Sequence, residues 1–535
     1  MADEFDVLKM LQEIEKGQEA HGAQVGVGDF DLDTAWINYG KGGYEYTIAD
    51  KILKIYVHED IEAFGLTGWL DILDTDNLVR NGPIVGQELL YMKFATAGAY
   101  DITDYGRSRT ASGQPKYSAS ERFSVDFTKQ PLWIYMVEDM TEMQTAAGAQ
   151  AAQALTYRLH FCSPELLRND RIRISQTMEG SYTDIIKKIL TEYLKTTKKV
   201  EMLETTDLKH FVIPNMNPFD VINWATLGSE FQHQQQAVPD YKHNTKSPNP
   251  FRGRAADFYF YETTRGYKFM PAMSNPETEI ILTLGNAPAV ERYQNQMTTS
   301  LEYEYAKIAD TRNPTSQGQW GSKHIQHNHF NKSFATYQSN YHRSLEQEQY
   351  SYISKTPAYL PTNQPEQNRE GQDKNLSDFP DSLLMLSSVS GKKNPTVNKN
   401  TLKINNPWSI SPADLTMRRL MQTQHACDYN ILTARFPGIS SLQVGMIVKL
   451  RLPDIGTASG QYDDDPIFVN RLNNTWIIKQ LTHVVNNQQN ERYYHCDVLL
   501  SNTMTETSKD GKLPEYDGMG GSVRFPNKRT SPHFT

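Results

Sequence analysis

The sequence has 535 residues, of which 38% are hydrophobic and 22% are charged, and its formal net charge is −9. This length predicts several domains, because single cores rarely grow beyond roughly 250–300 residues. The acidic balance argues against a nucleic-acid reader, which would show a basic footprint, but not against a wall along which DNA passes without specific binding. No run of roughly 18 apolar residues occurs, so no membrane span is predicted.

The N-terminal residues 1–43 are predicted to form a helix and an arm. Val7, Leu8, Leu11 and Ile14 fall at helical spacing, whereas Gly17–Gly43 is Gly-rich and irregular. Residues 44–170 then contain several short alternating strands, which predict a first small antiparallel barrel. Clear examples are Ile52–Val57, Gly86–Phe94, Leu132–Val137 and Tyr157–Cys162.

Residues 171–275 are predicted to form an α/β module. Ser181 and Asp184 have the spacing of a capping box before an amphipathic helix. Asn217-Pro218 has the pattern of an N-cap followed by proline at the first helical position. The aromatic run Phe258–Tyr261 and the turn at Gly266 predict a hairpin.

The remaining sequence divides into a polar part, a β-rich part and a tail. Residues 276–400 are predicted to hold the start of a second barrel, with a strand at Glu279–Leu284, followed by an Asn/Gln-rich insertion dominated by loops. Residues 401–510 are predicted to add a helix at 413–424 and then strands, and residues 511–535 to form a C-terminal tail. In the last strand one face is shared by Tyr494, Cys496, Val498 and Leu500.

This order of segments resembles the baseplate hub proteins of T-even-like contractile phages and the related hub region of type VI secretion spikes. The C-terminal strands carry most of the resemblance, with His483 at the rim of the closing hairpin. Its elements are the strand at Phe436-Pro437-Gly438 followed by Leu442–Val448, Leu452-Pro453, the acidic loop Asp463–Asp465, and Trp476–Val485 paired with Tyr494–Leu500. Earlier segments similar to the same family are Gly86–Met92, Ser181–Leu194 with Asn217-Pro218-Phe219, and Gly321–Ile325.

The resemblance implies an α+β, β-rich multidomain fold with two tube-like antiparallel β-barrel domains and an α/β module. It also implies a homotrimer that forms a pseudo-sixfold ring, adapts the tail tube to the central spike and lines the DNA channel. The implied partners are the central spike protein, the tail tube or tube-initiator protein, the tape-measure protein and neighbouring baseplate wedge proteins. The implied location is the virion, in the tail baseplate, after assembly in the host cytoplasm.

Two groups of side chains could in principle bind a metal. His324, His327 and His329 lack an H-E-x-x-H pattern or a nearby cysteine pair, so a polar interface loop is the favoured interpretation. The run Asp463–Asp465 could hold a cation, but adjacent like charges favour an exposed loop.

Asp29, Asp31 and Asp33 have the spacing that opens a calcium-binding loop. Thr34 stands where such a loop requires glycine, and Gly40 stands where it requires the bidentate glutamate. The sequence therefore favours a solvated arm over a calcium site.

No catalytic constellation is evident in the sequence. No serine lies in a G-x-S-x-G motif, and Cys162, Cys427 and Cys496 lie in or beside strand patterns, which is typical of reduced core thiols. We therefore predict no enzyme activity and no catalytic, cofactor-binding or metal-binding residues. The alternative is a tail-tip host-surface binding protein or cell-wall hydrolase, in which Phe258–Tyr261 would be an aromatic platform rather than a buried sheet edge.

Overall fold

The computed structural model is β-rich and contains 26 strands and a few short helices within the residues that it describes. These residues are 11, 26–39, 44–81, 84–97, 123–144, 153–205, 208–229, 231–232, 254–255, 258–271, 277–285, 293–307, 312–318, 321–329, 332–340, 366–367, 373–374, 379–389, 430–451, 475–488 and 491–502.

The N-terminal half contains eight strands and one short helix. Its strands alternate buried and partly exposed residues, as in β3, where Ile55 and Val57 are buried and Tyr56 is not. The elements are β1 (Phe30–Tyr39), β2 (Tyr44–Thr47), β3 (Ile52–Asp60), β4 (Thr67–Asp74), α1 (Leu78–Asn81), β5 (Leu89–Thr96), β6 (Ser124–Asp126), β7 (Leu132–Gln144) and β8 (Gln153–Cys162).

The following segment combines helices with short sheets around a second hydrophobic core. The predicted capping box is present, since the Ser181 hydroxyl accepts from the Asp184 amide and the Asp184 carboxylate accepts from the Ser181 amide. The elements are α2 (Pro164–Arg171), β9 (Thr177–Ser181), α3 (Tyr182–Lys188), a π-helical turn (Ile189–Tyr193), β10 (Val200–Met202), β11 (Leu208–Val212), α4 (Pro218–Gly228), β12 (Phe231–Gln232), β13 (Arg254–Ala255), β14 (Phe258–Thr263) and β15 (Gly266–Pro271).

Beyond β15, the polar part of the chain also forms strands. A separate three-stranded sheet has the order β19–β18–β22. The elements are β16 (Glu277–Thr283), α5 (Tyr293–Met297), β17 (Glu302–Lys307), α6 (Arg312–Ser316), β18 (Gly321–Asn328), β19 (Ser333–Asn340), β20 (Glu366–Gln367), β21 (Asp373–Lys374), a 3-10 turn (Pro380–Ser382) and β22 (Leu384–Val389).

The C-terminal strands complete one large sheet of 14 strands. They are β23 (Asn430–Pro437), β24 (Ile447–Arg451), β25 (Thr475–Gln488) and β26 (Glu491–Asn502). The main path runs β17–β23–β26–β25–β3–β4–β8–β7–β5–β1–β2, with β6 beside β5 and β24 between β25 and β16. Buried side chains from both halves belong to one continuous hydrophobic cluster, which also runs across the junction between them.

The predicted β-rich class is confirmed, but the division into two barrels stays a prediction. Within the described residues, the main hydrogen-bonded path runs from β17 to β2 without these end strands pairing with each other. The predicted shared face of the last strand is confirmed, because Tyr494, Cys496, Val498 and Leu500 are all buried.

Two predictions of irregular structure were wrong. Phe30–Tyr39 lies within the predicted arm but forms β1, whose Ala35 and Ile37 enter the main core. The alternating aspartates of this segment concealed it, because aspartate is depleted in strands. The predicted loop-dominated insertion contains β17, which joins the large sheet, and β18, β19 and β22, which form their own sheet. Strands here are set by long-range pairing rather than by a local aliphatic pattern.

Several predictions fall outside the described residues. These are the helix at 413–424, the loop Asp463–Asp465, Cys427, the tail 511–535 and most of the N-terminal helix. Of that helix only Leu11 is described, and it is helical and packs in the main core.

Candidate functional site: the joint between the sheet halves and the polar face of the sheet

The two halves of the large sheet meet where β3 pairs antiparallel with β25. The pairing runs over seven residue pairs, from Gln480 opposite Asp60 to Asn486 opposite Lys54. Two side-chain contacts cross the same joint: Gln480 Nε2 donates to Asp60 Oδ2 at 2.8 Å, and His58 Nδ1 lies 2.8 Å from the Thr482 hydroxyl. The joint is therefore a continuous ladder with additional side-chain contacts.

Glu59, at the end of β3, connects three separate segments. Its carboxylate accepts from the Thr264 amide at 2.6 Å, in the β14–β15 turn, and from the Val444 amide at 2.8 Å, before β24. The side chain is fully buried. Burial raises the pKa of the Glu59 carboxyl, while the two backbone amides act to lower it. One buried carboxylate thus ties the α/β segment to both halves of the sheet.

A second buried network joins the sheet halves near β5 and β6. The Thr96 hydroxyl donates to the Gly438 carbonyl at 2.9 Å, and the Ser440 amide donates to the Thr96 hydroxyl at 3.0 Å. The Ser440 hydroxyl also donates to the Phe123 carbonyl. Since all of these groups are buried, the network satisfies polar atoms that would otherwise destabilise the joint.

The α/β segment is also attached through a buried ion triad. Lys198 Nζ lies 2.6 Å from Glu165 Oε2 and contacts Glu262 Oε1, and Glu262 accepts from the Leu66 amide at 3.0 Å. Burial raises the pKa of Glu262, and the neighbouring Glu165 adds to this effect. Burial alone would lower the pKa of Lys198, but the two carboxylates outweigh it and raise that pKa. The triad holds its lysine charged beside two acids.

The face of the large sheet that looks away from the main core, here called the polar face, carries charged and aromatic residues. In the N-terminal half, Arg158 donates to both oxygens of Asp71 at 2.8 and 3.2 Å. Its guanidinium also lies 4.0 Å from the ring centre of Trp69, which stacks on Tyr56 with ring centres 5.1 Å apart. The arginine is thus fixed by a bidentate ion pair and a cation–π contact.

The C-terminal half repeats this arrangement on the same face. Arg435 on β23 donates to Asp497 at 2.7 Å and to Glu302 at 3.2 Å, so three adjacent strands are linked. Asp497 lies opposite Thr482, and Thr482 lies opposite His58 across the joint. One cross-strand row of polar side chains therefore runs from the C-terminal edge of the sheet into its N-terminal half.

His483 was predicted at the rim of the closing hairpin, and this prediction was wrong. It is completely buried, with Nδ1 2.7 Å from the Tyr494 hydroxyl, and burial lowers its pKa to about 3. Residues of a strand alternate between faces, so His483 shares the core face with Leu481 and Val485.

The histidines considered as metal ligands lie on and just after β18. The buried His324 Nε2 lies 2.7 Å from the Ser387 hydroxyl of β22, whereas His327 and His329 are exposed and stack edge to face. In the part of the chain that the structure describes, no group of three or more His, Cys, Asp or Glu side chains could hold a metal ion. The same part contains no helix long and apolar enough to cross a membrane.

The other side chains considered from the sequence, namely the aspartates, the cysteines and the aromatic hairpin, make contacts that are typical of a structural role. Asp29 accepts from the Gly26 amide, and Asp33 lies 3.5 Å from Lys93 of β5. Cys162 and Cys496 are buried, and burial raises the pKa of each thiol to about 12. In the aromatic hairpin, Phe258, Phe260 and Tyr261 are buried, which fits the sheet-edge interpretation rather than an open platform.

The residues that sequence reasoning missed are the buried charged ones. Glu59, Lys198, Glu165 and Glu262 have no motif in common, and their partners are far away along the chain. The local signal is that each glutamate continues the alternation of buried residues on its strand: Glu59 follows Ile55 and Val57, and Glu262 follows Phe258 and Phe260.

No protein-family model matches the chain, and no curated protein matches it. In structure the chain is similar to a 43 kDa tail protein of a Shewanella oneidensis prophage, with 10% identity, a TM-score of 0.42 and coverage of 88% of this chain and 99% of that one. It is similar to a tail protein from Neisseria meningitidis, with 8% identity, a TM-score of 0.42 and coverage of 89% and 97%. A third similar structure is an E. coli protein described as a component of the type VI secretion system with structural similarity to T4 phage tail proteins, with 9% identity, a TM-score of 0.36 and coverage of 88% and 76%.

Proposed function

We propose that this chain is a non-enzymatic structural protein of a contractile phage tail, the hub of its baseplate. In this proposal three copies form a pseudo-sixfold ring that adapts the tail tube to the central spike and lines the DNA channel. The observation that carries it is the β3–β25 joint, through which one chain presents two β-rich units side by side in a single sheet. Three copies would then supply six such units around an axis.

The joint supports this role because a ring under load needs units that do not move relative to each other. Glu59, Thr96 and Ser440 add buried hydrogen bonds to the ladder between the halves. Breaking any of these contacts would leave buried polar groups without partners, which is costly. The two units would therefore move as one body.

The polar face supports the role of a channel wall. Its arginines Arg158 and Arg435 are each paired with carboxylates, so their charges are compensated. Affinity for DNA comes mainly from cations that replace the counterions of phosphate groups. A wall whose arginines are already paired would hold passing DNA less tightly.

The proposed partners follow from the resemblance of the sequence to hub proteins. They are the central spike protein below, the tail tube or tube-initiator protein above, the tape-measure protein and neighbouring wedge proteins. The proposed location is the tail baseplate of the virion, with assembly in the host cytoplasm.

The absence of enzyme activity is part of the proposal. The buried thiols of Cys162 and Cys496 have raised pKa values, so they are poor nucleophiles at neutral pH. The alternative of a host-surface binding protein or cell-wall hydrolase rests on the aromatic hairpin and on the polar insertion, and burial of Phe258 and Phe260 removes the first of these two grounds.

The test is the mass of the purified protein, measured by size-exclusion chromatography with light scattering. The proposal predicts about three times 61.1 kDa for the protein alone, or that mass plus the mass of the spike when a co-expressed spike protein is bound. A strict monomer that joins neither the spike nor the tube protein from the same tail operon would contradict it.

A further inference from the structure

A cleft of about 390 Å³ lies between the N-terminal half of the large sheet and the α/β segment. Trp133, at the start of β7, lines it together with side-chain amides, including that of Asn38 from β1. Arg168 of α2 and Lys195, which follows the π-helical turn, also line it. Its volume falls in the range of ligand pockets, roughly 300–1,000 Å³.

The cleft carries a formal excess of positive charge. Lys198 and Glu165 also line it, and Lys198 is paired with both Glu165 and Glu262, so the cations left for a ligand are the other two. Among the described residues, the partners of Arg168 Nη1 are the carbonyls of Leu194 and Lys195, which carry no charge. Lys195 is exposed and forms no ion pair with any residue that the structure describes. Two cations therefore face the cleft in a chain of net charge −9.

The backbone that carries Lys195 is fixed at the edge of the cleft. Lys195 has a φ of +50°, a left-handed conformation that residues other than glycine rarely adopt. The amides on either side of it are pinned, because Leu194 donates to Ile189 and Thr196 donates to Leu190, both at 3.0 Å. This left-handed residue and these two bonds form the C-terminal cap of the helix, which fixes the backbone from which the Lys195 side chain starts. The bond from Arg168 to the Lys195 carbonyl keeps the arginine next to this loop.

We propose that this cleft binds an acidic segment of a partner protein, with an aspartate or glutamate carboxylate between Arg168 and Lys195. Side-chain amides of the sheet wall, such as Asn38, can donate to the same carboxylate. Trp133 offers an apolar surface for the aliphatic part of the bound side chain. The proposal rests on the cleft alone and does not depend on a hub ring.

The probe is a fluorescein-labelled peptide of six glutamates, and its counterpart of six glutamines serves as the uncharged reference. Fluorescence anisotropy with the full-length protein should show binding of the glutamate peptide that weakens as salt increases, and no binding of the glutamine peptide. The double substitution Arg168→Gln with Lys195→Gln should weaken binding about tenfold or more, which corresponds to a loss of about 1.4 kcal/mol or more of binding free energy.

The matched control is Lys199→Gln. Lys199 is an exposed lysine four residues from Lys195, it pairs with Glu201 and it does not line the cleft. Its removal should leave the affinity unchanged. If the double variant fails to fold, as a circular dichroism melt would show, Lys195→Gln alone should still weaken binding, because that side chain is exposed.

Three results would each overturn the proposal. One is no binding of the glutamate peptide by the unchanged protein. Another is equal binding of the glutamine peptide. The last is a loss with Lys199→Gln as large as that with Lys195→Gln, since this would indicate diffuse attraction rather than a site. None of these depends on whether the protein is trimeric, so they are separate from the test of the hub.

Discussion

The carboxylate of Glu59 accepts a hydrogen bond at 2.8 Å from the backbone amide of Val444, which lies 385 residues further along the chain. The same carboxylate accepts from the Thr264 amide, so the end of β3 is tied to two segments at once. These two hydrogen bonds stabilise the end of β3 at the β3–β25 joint. The stability of the joint can therefore be tested by mutating Glu59.

Glu59→Ala should destabilise the whole protein. It would leave the buried Val444 amide without an acceptor, at about 1–3 kcal/mol, and the partly buried Thr264 amide as well, at a smaller cost. Urea unfolding followed by circular dichroism should show a clearly lower midpoint than for Glu62→Ala, a control three residues away whose side chain is mainly exposed and lies 3.8 Å from Lys479. Equal midpoints would mean that Glu59 does not hold the joint.

The free energy of unfolding should depend on pH partly because of Glu59. Its folded-state pKa is raised, so the folded protein binds this proton more tightly than the unfolded chain does. The contribution of Glu59 to the free energy of unfolding is therefore complete below the pKa of the unfolded chain, roughly 4.3. It is lost as the pH rises through the pKa of the folded protein.

Glu59→Gln removes this titration, so the urea midpoint of the unchanged protein should fall relative to that of Glu59→Gln as the pH rises from about 4. The measurement is a series of urea titrations from pH 4 to 8, with Glu62→Gln as the control that keeps the original slope. Parallel curves for Glu59→Gln and the unchanged protein would show that the carboxyl does not titrate differently in the two states.

The core face of the last strand gives a second test of stability. Val498→Asp buries an unpaired charge and should cost several kcal/mol. Leu499→Asp places the same charge on the opposite, partly exposed face and should cost much less. Thermal melts of both variants compare the two faces directly. A melting temperature for Val498→Asp that is unchanged, or equal to that of Leu499→Asp, would contradict the assignment of this face to the core.

We expect the polar face not to bind DNA as long as its arginines are paired with carboxylates. Replacing Asp71 and Asp497 together by asparagine leaves Arg158 and Arg435 without their closest carboxylates. This variant should retard duplex DNA in a gel at low salt, whereas the unchanged protein and the exposed control Asp50→Asn should not. DNA binding by the unchanged protein would argue against a passive channel wall.

Local signals in the sequence predicted local structure correctly. The Ser181–Asp184 capping box and the shared face of Tyr494 and Cys496 are encoded within a few residues, and both are present. The joint could not be predicted in this way, because β3 and β25 are brought together only by the folded sheet. The burial of His483 was predictable from strand alternation, but the predicted position at a hairpin rim obscured it.

The components of the candidate cleft were equally invisible in the sequence. Arg168 and Lys195 look like ordinary solvated cations, and only the packing of α2 against the sheet brings them to Trp133. Strand β17 shows the same limit in the fold, since its residues Glu302 and Tyr303 form a strand because β23 supplies the partner.

The most direct test of the proposed hub is an electron cryomicroscopy image of the purified oligomer viewed down its axis. The proposal predicts a threefold ring with a central hole and six similar β-rich units, two from each chain. A compact particle without a hole, or one whose chains do not contribute two units each, would contradict it.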